Sequence, residues 1–164
     1  MNRPKFVFLT LILIYLDLIQ FIMMLKKSEV LNMIPQKPPM AMVDGLIAHD
    51  NTTTTSRLAL DKQNIFCKNG FFHEPGLIEN IAQTVALRAG YIAKKNNLDP
   101  QLGFIGAVKR MHIFELPRDT DILHTKITLL NQLMNASFIK GEVYVGSKIM
   151  AKGEMTIFKQ EDQE

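Results

Sequence analysis

Between Leu77 and Ala89 apolar side chains return at Leu77, Ile78, Ile81, Val85 and Ala89, every third or fourth position. That spacing predicts a helix with one buried stripe. Pro75 suits its first turn. Lys94-Lys95-Asn96-Asn97 is a C-terminal pattern, and Asp99-Pro100 stops the chain. The helix is expected within His73 to Asn97, about twenty residues and roughly 30 Å long. Elsewhere the pattern favours strands. A short helical turn at Ser28–Met33 runs into Ile34-Pro35-Gln36-Lys37-Pro38-Pro39, where the prolines forbid regular helix. Ala41–His49 reads as a strand kinked at Asp44-Gly45. Asp50-Asn51 turns the chain into a β-branched return strand, Thr52–Leu60. Asp61–Phe72 is expected to be irregular. After Pro100, strands are expected at Leu102–Phe114, Ile122–Leu130, Ala136–Val145 and Ile149–Phe158. Turns at Leu116–Asp119, Asn131–Asn135 and Gly146-Ser147 divide them.

Two strands, one long helix and four strands define an α+β domain. A mostly antiparallel sheet must bury one face, and a single central helix with an apolar stripe can cover it. A sheet wrapped around one central helix is the hotdog fold. The domain is expected over residues 28–159, with a polar tail at 160–164. Residues 1–27 stand apart. Phe6 to Met24 is a nearly continuous apolar run, interrupted by Asp17 and Gln20. Its length suffices for a membrane span, although Asp17 at mid-bilayer would cost roughly 3 kcal/mol. No small-residue cleavage site follows it. Two readings stand: a membrane anchor, or a start assigned upstream of the true one near Met23-Met24. The first places the protein at a membrane; the second leaves it cytoplasmic.

Composition adds little. Hydrophobic residues make up 47% and charged residues 21% of 164 residues, which is ordinary for a globular chain. The net charge is +3, and the basic residues form only doublets such as Lys26-Lys27, Lys94-Lys95 and Lys109-Arg110. That is too sparse for a nucleic-acid stripe. The one cysteine, Cys67, allows no intrachain disulfide. The four histidines lack metal-ligand spacing, so no metal site is expected.

Two segments carry chemistry. Ile34-Pro35-Gln36-Lys37-Pro38-Pro39-Met40-Ala41-Met42-Val43-Asp44 and Glu79-Asn80-Ile81-Ala82-Gln83 resemble motifs of the β-hydroxyacyl-acyl-carrier-protein dehydratases. In that family a Pro-His-Arg-x-Pro-Phe-x-x-Val-Asp segment precedes a helix bearing Glu-x-x-Ala-Gln. Gly103 to Lys109 is similar to the strand after the helix, and the likeness runs from about Leu31 to Phe158. The chain departs from the family at its catalytic histidine. The Gly-His-Phe-Pro-Gly stretch becomes Gly70-Phe71-Phe72-His73-Glu74-Pro75-Gly76, with Phe71 at the His position. This resembles a divergent branch associated with aryl-polyene or flexirubin-type pigment and specialised lipid synthesis.

The resemblance implies a substrate carried on phosphopantetheine, no cofactor, an acyl carrier protein as partner, and pairing of two hotdogs as a homo- or heterodimer. It makes Glu79 the general acid/base. Gln83, four residues on, shares its helix face and can orient it. An acid early in a helix also occurs for dipole reasons alone. His73 is either a substitute base or a capping residue. Gly76 would let a thioester approach the helix backbone. Phe71 and Cys67 are read as channel lining or as packing, Gly106 as letting the sheet bend or substrate approach the backbone, Asp44 as fixing a backbone bend, and His112 and His124 as strand residues. Arg88, Lys109 and Arg110 are the expected carrier contacts. Three functions compete: a dehydratase, a non-catalytic subunit paired with an active dehydratase, and a hotdog thioesterase using Glu79 with water.

Overall fold

The computed structural model describes residues 24–160. The apolar run considered above, up to position 23, lies outside the described residues. Within them no helix is long and apolar enough to cross a membrane.

The elements in chain order are α1 (Lys27–Leu31), β1 (Gly45–His49), β2 (Thr53–Ala59), β3 (Cys67–Lys68), β4 (Phe71–Phe72), α2 (Glu74–Lys95), β5 (Gly103–Ile113), β6 (Ile122–Leu133), β7 (Ala136–Val145) and β8 (Lys148–Lys159). Six strands form one antiparallel sheet in the order β1-β2-β6-β7-β8-β5, and β3-β4 is a separate small hairpin. The sheet wraps α2, giving the expected hotdog fold. Leu77, Ile81 and Val85 of α2 meet Leu123, Ile127, Ile139, Val143 and Met155 of the sheet, with Met42 and Phe72 closing the core. The sheet comes close to the helix at Gly141, where a Cβ would stand 2.5 Å from Ile81 Cγ2. A second cluster of Val30, Met33, Ile34, Val43, Leu46 and Leu87 fastens α1 beside α2.

Three local expectations need correction. The irregularity in β1 lies between Leu46 and Ala48, not at Asp44-Gly45. Asp44 instead ends the segment before β1 by accepting from Arg57 Nη1 at 2.7 Å and Ala59 N at 2.8 Å. The stretch 61–72 contains the β3-β4 hairpin. β6 also runs through Asn131 and Gln132 to Leu133 over a bulge after Leu129.

At Gly90 the α1–α2 contact allows no side chain, because an added Cβ would overlap the Met33 carbonyl and stand 2.9 Å from Met33 Cβ. Gly90→Ala should therefore lower stability by about 2 kcal/mol, as overpacking against backbone does. Chemical denaturation checks this; a variant as stable as the parent would show that α1 is free to shift.

Candidate active site around Glu79

The approach to α2 is rigid. His73 is its N-cap, and Pro75 lies in the first turn. The Phe72 amide donates to Pro117 O at 2.8 Å, and the His73 amide donates to Phe66 O at 3.0 Å. Phe66 and Phe72 meet edge to face with centroids 6.3 Å apart. Their carbons fill the space that a Cβ on Gly76 would need. The close approach allowed by Gly76 is thus taken by the chain's own aromatic pair.

Glu79 is the sixth residue of α2. It lies in the second turn, and the first-turn acid is Glu74. The dipole effect falls off within the first turn, so it is not what holds Glu79 here. A side chain holds it. The Gln83 amide donates from Nε2 to Glu79 Oε1 at 2.7 Å and to Met40 O at 2.7 Å, while its Oε1 accepts from Met42 N at 2.6 Å. Gln83 is fully buried, so its rotamer is fixed. Asn80 adds a further stitch from Nδ2 to Met42 O at 2.7 Å, and its Oδ1 accepts from Thr125 Oγ1. The helix thereby sews the Met40–Met42 segment alongside Glu79, satisfying backbone groups that have no strand partner. One carboxylate oxygen of Glu79 is held, and the other makes no hydrogen bond among the described residues.

Sequence reasoning missed Asn80 and the Met40–Met42 backbone. The available signal was a row of polar residues, Asn80, Gln83 and Thr84, at helical spacing beside the apolar stripe. Gln83→Met should cost about 3 kcal/mol, since it leaves the Met42 amide buried and unpaired and removes the donor to Met40 O. A thermal melt checks it, and an unchanged melting temperature would mean that water or a neighbour replaces the amide.

The other expected residues are scattered. His73 Nε2 lies 3.1 Å from Lys68 O. Facing a carbonyl, that nitrogen must carry the proton, which leaves Nδ1 toward Glu74 Oε2 at 3.5 Å. His73 makes no hydrogen bond or ion pair with Glu79. The exposed ring of Phe71 sits 5.8 Å from the Arg118 guanidinium, so the family's histidine position holds no proton-transferring group. Cys67 is half-buried, and burial raises its thiol pKa. Gly106 occupies an irregularity in β5, and the Phe158 ring fills its Cβ space.

Arg88 is not at the surface. It is buried and donates to the carbonyls of Asp50 (3.0 Å), Asn51 (2.5 Å) and Thr53 (3.3 Å), and to Thr54 Oγ1 (3.2 Å). It clamps the β1–β2 turn and has no guanidinium to offer a carrier. Lys109 and Arg110 are exposed on β5, where Arg110 pairs with Glu154 at 2.6 Å. Among the described residues no three His, Cys, Asp or Glu side chains gather as metal ligands.

A wrapped antiparallel sheet, with an acid on the second turn of the enclosed helix and its amide partner one turn further on, defines a hotdog protein. The chain belongs to the ApeP-like family of dehydratases, whose profile matches residues 28–164. It is 24% identical over 145 residues to the 3-hydroxyacyl-[acyl-carrier-protein] dehydratase FabZ of Levilactobacillus brevis, covering 80% of this chain and 91% of that protein. The FabZ of Lactiplantibacillus plantarum is 23% identical over 142 residues, covering 80% and 92%. Among solved structures, the dehydratase heterocomplex ApeI:P from Xenorhabdus doucetiae superposes with a TM-score of 0.70 at 16% identity, covering 81% of this chain and 91% of that one. A hypothetical thioesterase with coenzyme A from Streptococcus pneumoniae gives 0.58 at 11% identity, covering 73% and 87%. At these identities the structures share the fold.

Proposed function

We propose that this chain acts on 3-hydroxyacyl thioesters of acyl carrier protein, with Glu79 as the acid/base that removes water. The observation that carries this is the fixed Glu79–Gln83 pair: one carboxylate oxygen is anchored at 2.7 Å and the other is left for substrate. Dehydration breaks the Cα–H and Cβ–O bonds and forms the double bond between them. A base takes the α-proton, and an acid delivers a proton to the leaving hydroxyl. Glu79 can serve one of these roles. The chemistry calls for no resident cofactor.

The second role needs a partner group. Within the chain His73 is the nearest candidate by sequence, although its contacts lead to Lys68 and Glu74. Our reading gives the role to a second hotdog protomer paired along β5, like or unlike this chain. Among the described residues β5 ends the sheet with one edge unpaired, and such an edge calls for cover. The heterocomplex described for ApeI:P supports an unlike partner. Lys109 and Arg110, on that strand, are the proposed contacts for an acidic carrier. The absence of a histidine beside Glu79 favours a second reading, a non-catalytic subunit that binds the acyl group for an active partner.

The test is to incubate the chain, alone and with a hotdog dehydratase, with 3-hydroxyacyl-carrier thioester and read products by mass. Loss of water supports the proposal. Release of free acid identifies a thioesterase, and binding without turnover identifies the silent subunit. Full activity in His73→Ala would remove His73 from the chemistry.

A further inference from the structure

Gln83 does more than hold Glu79. Its Nε2 donates to Glu79 Oε1 and to Met40 O, each at 2.7 Å, so Met40 O stands no more than about 5.4 Å from the carboxylate. The Met40 Cα follows about 2.4 Å behind that oxygen. The backbone there is pinned on both sides. The Met40 and Ala41 amides donate to Lys37 O at 2.8 and 3.2 Å, and the Met42 amide donates to Gln83 Oε1 at 2.6 Å. Lys37 is held in turn, its Nζ donating to Leu31 O and Ile34 O. Where the Met40 side chain starts is therefore set by the same residue that sets Glu79.

The side chain stays out of the core. Met42, two positions on, is fully buried, and Asn64 Nδ2 lies 3.3 Å from its sulfur. Met40 is 42% exposed and belongs to neither hydrophobic cluster. Phe71, exposed on β4, differs in setting its ring against the Arg118 guanidinium. A long apolar side chain on fixed backbone, beside a fixed acid and outside the core, is placed to meet something other than the protein's own interior. Methionine is unbranched, with three rotatable bonds and a polarisable sulfur, so it fits itself to neighbours of different shape.

We propose that Met40 is the specificity-determining residue of the Glu79 site, an adaptable wall against the acyl carbons next to the reacting pair. Acyl groups branched at the carbon after the hydroxyl-bearing one are then accepted about as well as straight ones. This role rests on Glu79 being the centre of the proposed acyl-thioester site. A substrate carbon about 3 Å from the unbonded Glu79 oxygen has its next neighbours within the span of this side chain. Methionine yields to a branch by rotation. Phenylalanine is stiffer and wider, and alanine leaves a gap that a straight chain does not fill. One methyl group against such a wall carries about tenfold in selectivity.

The test uses isomeric acyl groups of equal carbon number, so that shape alone is compared. The full chain, with its hotdog partner, is given 3-hydroxyhexanoyl- and 3-hydroxy-4-methylpentanoyl-carrier thioesters, and kcat/KM is read for each. Binding of the unreactive hexanoyl- and 4-methylpentanoyl-pantetheine thioesters is read beside it. The parent should treat the two shapes alike within about threefold. Met40→Phe should favour the straight isomer by about tenfold. Met40→Ala should weaken the straight isomer severalfold, with both melting temperatures unchanged. Met134→Ala, at a turn residue that is 97% exposed, should change nothing. Selectivity that stays at the parent value in both Met40 variants overturns the proposal, and turnover that survives beside it leaves the dehydratase reading standing. A shift reproduced by Met134→Ala also overturns the proposal. A shifted binding preference without any dehydration upholds Met40 and removes the dehydratase reading. Failure of every thioester to bind overturns both.

Discussion

Glu79→Gln will keep the fold and lower the rate of dehydration by about 10³-fold, the usual loss when a general acid/base is removed. The fold survives because the Gln83 Nε2 that now donates to Glu79 Oε1 can donate equally to an amide oxygen. The stitches from Gln83 and Asn80 to Met40 and Met42 do not involve the carboxylate. What disappears is the capacity to exchange a proton. Single-turnover conversion of a 3-hydroxyacyl-carrier thioester, beside a thermal melt, reads both effects. An undiminished rate in a folded variant would take Glu79 out of the mechanism. A collapsed melt would show that the charge itself holds the Met40 segment.

Arg88→Met will lower stability by about 3 kcal/mol. Its guanidinium satisfies three turn carbonyls and the Thr54 hydroxyl from a buried position. An apolar side chain of similar length fills the space but takes the donor from the Asp50 and Asn51 carbonyls, while Thr53 O keeps the Asp50 amide and Thr54 Oγ1 keeps His49 Nδ1. The turn is otherwise shaped by Asp50, whose Oδ1 accepts from the amides of Thr52 and Thr53 at 2.8 and 2.7 Å. The Thr53 hydroxyl and these amides hold the Asp50 carboxyl far below the usual range, so Asp50 stays ionised down to strongly acidic pH. It cannot replace the lost donors, being itself an acceptor. The melting temperature should fall by about 10 °C, while affinity of the folded fraction for a carrier stays unchanged. A stable Arg88→Met protein with weakened carrier binding would restore Arg88 to the surface role that its basic character suggests.

Local periodicity made α2 legible, because its stripe and both caps are written within one stretch of chain. The helix runs Glu74–Lys95 with His73 and Asn96 as caps, inside the expected span. The alternating strands were legible for the same reason. What escaped depends on distant partners. Asn131-Gln132 reads as a turn by composition, yet it pairs with Phe138 and Ser137, and the turn falls on Met134. Arg88 reads as surface until the β1–β2 carbonyls, more than thirty residues upstream, are placed against it. Glu79 and Gln83 were visible as a pair four residues apart. Their anchoring to Met40 and Met42 was not, because side chains pairing with an extended backbone leave no periodic trace.

Glu79 exchanges a proton with the carrier-bound acyl chain as water leaves in the proposed reaction. Dehydration is reversible, so the most direct measurement runs it backwards in D₂O. The chain, with its hotdog partner, is given a trans-2-enoyl-carrier thioester, and the recovered 3-hydroxyacyl product is examined by mass spectrometry and NMR. One deuterium is expected at the α-carbon, placed stereospecifically, and none above background with Glu79→Gln. Deuterium incorporated equally by Glu79→Gln, or hydrolysis of the thioester in place of hydration, would contradict it.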